Sequence, residues 1–112
     1  MPVQIDFATI FDQLKQGIIT LAQATITKYT KQAKEDGLKM LQDMEEKLER
    51  WTKMLVAGQL TTKEFEFLVN SEKDLIVMSG LKQAGLAAIR VDQFKASVLN
   101  LIVDTVFNLI KI

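Results

Sequence analysis

Neither cysteine nor histidine occurs among the 112 residues, and the one proline is Pro2. Those absences exclude disulfide bonds, thiolate nucleophiles, imidazole bases and the usual zinc or haem ligands. Nothing beyond Pro2 forces a helix to break. A dominant charge is lacking too: Lys plus Arg and Asp plus Glu both number 14, for a formal net charge of zero. With the basic residues scattered along the chain, nucleic acid is not an expected partner. The opening residues, Met1 to Asp6, have no basic stretch leading into an uninterrupted apolar run, so no signal peptide is expected and a cytoplasmic location is the default. No shift in composition marks a second unit, and one all-helical domain over residues 1–112 is expected.

The clearest local signal is VAGQLTTKEF, beginning at Val56. Gly58 can adopt the left-handed conformation that closes a helix. Thr61 and Glu64 then have the spacing of a capping box, and Leu60 and Phe65 that of a hydrophobic staple. Stop and start signals in this order predict two helices joined by a tight turn over residues 58–61. From Met54 to Leu68 the stretch resembles a short two-helix module found at bacterial C-termini. The residues that carry the likeness are those of any capped helical turn, and no family follows from them. The Trp-x-Gly turn of small secreted helical hairpins is absent, since Trp51 is followed by Thr52 and Lys53.

Apolar or small residues step by threes and fours from Phe7 through Phe11, Leu14, Ile18, Leu21, Thr25, Tyr29, Ala33 and Gly37 to Leu55. The step averages about 3.7, which fits a straight rod rather than a left-handed supercoil. A second track runs from Phe65 to Ile112. The expected fold is therefore all-α: a long antiparallel helical hairpin, arm one about 6–57 and arm two about 62–111, assembling into a helical bundle. Arm one would reach roughly 75 Å at 1.5 Å per residue. It is expected to continue through Gly37, and arm two to kink near Gly80 or Gly85. Folding at the turn brings the small residues Ala33 and Gly37 near Gly80, Ala84 and Gly85. The alternative is a compact three- or four-helix bundle with turns near Gly37 and Gly85.

The C-terminal stretch FKASVLNLIVDTVFNLIKI is apolar around most of a helix, leaving a strip of Asn100, Asp104, Asn108 and Lys111. A helix this apolar must be surrounded. The N-terminal arm, with Ile5, Phe7, Phe11, Leu14 and Ile18, has a similarly wide face. Two helices cannot enclose two such faces, so the hairpin implies a second copy, with Phe7, Phe11, Leu14, Ile18, Leu101, Val106 and Leu109 at the seam. The polar strip then either faces solvent or, if several copies entered a bilayer, lines a lumen.

Carboxylates gather at Glu45, Glu46 and Glu49 and again at Glu64, Glu66 and Glu72, but a Glu-x-x-His element is impossible without histidine. Lys82 between Gly80 and Gly85 does not make a phosphate loop. Trp51 and the methionines Met40, Met44, Met54 and Met78 fit core positions better than a ligand platform. No catalytic, cofactor-binding or metal residue is expected. The expected role is that of a non-enzymatic, self-associating scaffold, assembly or adaptor component, its charged loop end free for another protein. The alternative is a membrane-active protein whose terminal helices insert into or lie on a bilayer.

Overall fold

Asp6 starts the first helix. Its carboxylate accepts from the Ala8 amide at 3.1 Å and the Thr9 hydroxyl at 3.2 Å, so the first turn is capped before the apolar face begins. A computed structural model describes residues 6–110; Ile5, Lys111 and Ile112, placed on the tracks above, lie outside them. The helices are α1 (Phe7–Thr25), α2 (Thr30–Val56), α3 (Thr62–Ser71), α4 (Ser79–Ala84) and α5 (Ala88–Ile110), with a 3₁₀ turn at Glu72–Leu75.

The all-α bundle is formed, and its compact version replaces the long hairpin. The chain measures 49 × 23 × 19 Å, far short of the roughly 75 Å rod. Arm one does continue through Gly37 but breaks earlier, between Thr25 and Thr30. β-Branched residues crowd a helix, and threonine hydroxyls compete for its carbonyls. Here Thr25 donates back to the Leu21 carbonyl and Thr30 to the Ile26 carbonyl, each at 2.7 Å. Arg90 of α5 donates to the Thr25 carbonyl at 3.2 Å. The turn lets α1 lie back along α2, so Ile10, Leu14, Ile18 and Ala22 are buried inside one chain.

Contacts along the rods set their directions. Ile18 meets Gly37, while Phe7 and Phe11 flank Glu45 and Glu49, so α1 and α2 are antiparallel. Gly17 faces Leu101 and Thr25 meets Arg90, so α5 is antiparallel to α1. Phe65 and Phe107 rings lie 5.7 Å apart, and Lys95 reaches the Lys73 carbonyl, so α3 is antiparallel to α5. The result is an up-down-up-down bundle whose third rod is broken into α3, the 3₁₀ turn and α4. Asp36 meets Gly80, close to the juxtaposition of small mid-arm residues expected from the sequence.

The turn after α2 forms as its residues require. Gly58 has φ +76°, and the Gln59 amide donates to the Met54 carbonyl at 2.8 Å. Glu64 accepts from the Thr61 amide at 3.0 Å while its own amide donates to the Thr61 hydroxyl at 3.1 Å. Phe65 is fully buried and Leu60 packs against the core. The Thr61 amide, and after it the Thr61 hydroxyl, hold the exposed Glu64 carboxyl below its ordinary value. The cap's contribution is therefore complete above the ordinary carboxylate range and is lost as pH falls through the lowered value.

Gly37 lies at the tightest crossing. A Cβ there would sit 2.6 Å from Ile18 Cγ2 and 3.7 Å from the Phe94 ring. Gly37→Ala is expected to destabilise the protein by about 1–3 kcal/mol in urea unfolding, because the fully buried Ile18 must shift to admit the methyl. Gly17→Ala, whose Cβ would meet only the half-buried Leu101 side chain, at 3.0 Å, should cost less than Gly37→Ala, the helix preference of alanine over glycine offsetting about 1 kcal/mol.

Candidate functional site

The break in the third rod is held by side chains from the two neighbouring rods. Glu72, buried at the start of the 3₁₀ turn, pairs with Lys47 of α2 at 2.8 Å. The Lys95 ammonium of α5 donates to the Lys73 carbonyl at 3.2 Å and the Ile76 carbonyl at 2.6 Å, tying the end of the 3₁₀ turn to α5. Asp36 of α2 accepts from the Gly80 and Leu81 amides at 3.0 and 2.7 Å, capping α4 from outside its own sequence. Gly80 permits this approach, since a Cβ there would lie 2.9 Å from the Asp36 carboxylate.

This anchoring displays apolar side chains. Residues 76–78 form a strap from the 3₁₀ turn to α4 that starts extended at Ile76; Ile76 and Met78 turn inward and Val77 outward, and Leu75 at the end of the 3₁₀ turn is also outward. Leu75 is 71% exposed and Val77 69%. Phe67 on the outer side of α3 and Ile89 in the first turn of α5 are 72% and 68% exposed. Between the strap and α5 runs a groove of about 290 Å³ lined by Val77, Leu86, Val91, Lys82 and Lys95 among others. A second groove, about 430 Å³, lies between the start of α1 and the second half of α2, walled by Phe7, Phe11, Asp6, Glu45, Glu49 and Lys53.

The seven residues expected at an interchain seam are brought together, but largely within one chain. Leu14, Ile18 and Val106 are fully buried. Phe7, Phe11 and Leu101 are half-buried against the same core, and Leu109 is 40% exposed. The width of the two terminal faces therefore does not by itself require a second copy, because α1 folds back and α5 inserts between the other rods. Asn100, Asp104 and Asn108 are exposed along α5. No described helix is long and apolar enough to cross a membrane. Gly58, Leu60, Thr61, Glu64 and Phe65 form the expected turn.

Trp51, Met40, Met44 and Met78 are buried in the core and Met54 packs on it. Among the described residues no three acidic side chains gather as a metal ion would require; Glu72 turns to Lys47 and Glu49 to Lys53. Sequence reasoning missed Asp36, Lys47 and Lys95, whose partners lie far along the chain. It also missed Leu75, Val77 and Ile89 as surface residues. The consecutive apolar run Leu75-Ile76-Val77-Met78 carries a signal, since four adjacent apolar positions cannot share one helix face.

Buried polar groups give two tests. The Thr52 hydroxyl is buried without a partner among the described residues, so Thr52→Val should raise unfolding stability by about 1 kcal/mol. Lys47→Met strips Glu72 of its cation and should cost about 1–3 kcal/mol, with a second change, Glu72→Gln, recovering part of the loss. No protein-family model matches the chain, and no curated protein or solved structure matches it either.

Proposed function

We propose that the chain is a non-enzymatic helical interaction module that self-associates and serves as a scaffold, assembly or adaptor component. The observation that supports this reading most directly is the outer edge of the broken third rod and the adjoining start of α5. There Phe67, Leu75, Val77 and Ile89 each keep about seventy per cent of their surface in water. Apolar area of this kind is stabilised by association at about 25 cal/mol per Å² removed from water. It sits on elements anchored by Lys47, Lys95 and Asp36, so little ordering accompanies docking. Glu72, buried and paired with Lys47, lines a small groove of about 190 Å³ between α2 and the strap.

In this reading the exposed apolar side chains of α3, the strap and the start of α5 supply contact surface from several places on the molecule. The half-buried Phe7 and Phe11 add a second apolar feature beside α2. The charged residues around the α2–α3 turn leave that end for a different protein.

Light scattering on a size-exclusion column, across a dilution series, is the test. The native chain is expected to show a molar mass that rises with concentration. Joint replacement of Phe67, Leu75, Val77 and Ile89 by serine should lower it to one chain with an unchanged helical circular-dichroism spectrum, since surface changes of this kind each alter stability by roughly 0.5 kcal/mol or less. A native chain that stays monomeric at every concentration would remove the self-association reading.

A further inference from the structure

The zero net charge hides a polar molecule. The turn between α1 and α2, the start of α2, α4 and the start of α5 all lie at one end of the bundle, as the Arg90–Thr25 and Asp36–Gly80 contacts require. That end carries Lys28, Lys31, Lys34, Lys82 and Arg90 against Glu35 and Asp92, while its remaining carboxylate, Asp36, is engaged with α4 amides. None of these cations makes an ion pair among the described residues, where the two salt bridges are Lys47–Glu72 and Lys53–Glu49. Ile89, 68% exposed, stands beside Arg90 on this end.

The groove between α1 and α2 has the opposite character. Asp6, Glu45 and Glu49 face it, with Lys53 already drawn to Glu49 at 3.1 Å. Its apolar wall is the Phe7–Phe11 pair, rings 5.9 Å apart. Lys15 already lies 4.9 Å over the Phe11 ring, so this wall accepts a cation on its face. One end of the molecule thus offers an apolar side chain beside an arginine, and the flank near the other end offers aromatic rings beside carboxylates.

We propose that the basic end of one copy, with Ile89 and Arg90 foremost, docks in the α1–α2 groove of the next. Ile89 packs on Phe7 and Phe11, and Arg90 meets Glu45 and Glu49. The proposal rests on the self-association reading and gives it a geometry. Because the two surfaces are different patches of the same chain, the contact is head-to-tail and repeats into a ring or a filament rather than stopping at a symmetric pair. Opposite charges on the two patches steer the encounter, and a neutral whole leaves no net repulsion between copies. Arg90 is pre-oriented by its bond to the Thr25 carbonyl, which reduces the ordering needed on docking.

The experiment uses sedimentation velocity of the full chain at low and high ionic strength, with two surface variants. One removes the tip (Ile89→Ser with Arg90→Ser) and the other reverses the groove (Glu45→Lys with Glu49→Lys); circular dichroism checks that both remain folded. The native chain should form multimers whose apparent dissociation constant rises roughly tenfold or more from low to high salt. Each variant alone should sediment as one chain. Mixed in equal amounts they should form a species of two chains and no larger, because only one intact tip and one intact groove remain in the pair. Multimers that persist in either variant, or variants that fail to pair, overturn the head-to-tail geometry and leave self-association through another surface. A native chain that is monomeric throughout overturns both readings. Its co-sedimentation with phosphatidylserine vesicles, lost in the tip variant, would then assign the basic end to lipid.

Discussion

The close approach of α1 to α2 at Gly37 is the contact on which the rest of the bundle depends. Ile18 lies where a side chain on residue 37 would be, and Ala22 and Ala33 are likewise fully buried. Small residues let the first two rods pack tightly enough to leave a trough for α5, whose Phe94 reaches the same point. Burying Leu14, Ile18, Val98 and Ile102 in that trough contributes about 1.5–3 kcal/mol apiece. An unbroken first arm would have left α1 beyond reach of α2, and that burial would have required another chain.

The third rod shows how a bundle tolerates an irregular element. A helix that ends leaves carbonyls without donors, and one that begins leaves amides without acceptors. Lys95 adds a donor at the carbonyls of Lys73 and Ile76 where the rod breaks, and Asp36 supplies acceptors to the Gly80 and Leu81 amides where α4 begins. Both come from neighbouring rods, so the break is secured by tertiary structure. Its consequence is geometric: a helix can keep its apolar residues on one inward stripe, whereas an extended strap turns alternate residues out whatever their polarity. Val77 is displayed for that reason, and Leu75, at the end of the 3₁₀ turn, beside it.

Charge follows the same pattern. In sequence the lysines and carboxylates are interspersed and cancel. Folding gathers the start of α2, α4 and the start of α5 at one end and leaves Glu45, Glu46 and Glu49 toward the other. A formal charge of zero therefore describes solubility and long-range repulsion but not the field at either end.

What the sequence by itself determined were the features governed by neighbours a few residues apart: the helical class, the apolar faces of α1 and α2, and the turn at Gly58 with the Thr61–Glu64 capping box. Each depends on propensity, periodicity or a side chain reaching three positions along its own backbone, and none needs a particular partner from elsewhere in the chain. The terminal apolar faces were legible too, but not what covers them. Only the tertiary structure decided that α1 turns back at Ile26 rather than continuing, that the second arm opens into a strap, and that Leu14, Ile18 and Val106 are core while Leu75, Val77 and Ile89 are surface. Those outcomes are set by competition for one shared interior. A threonine-rich stretch breaks, and an apolar run is left outside, where the burial gained by the whole chain exceeds the local preference.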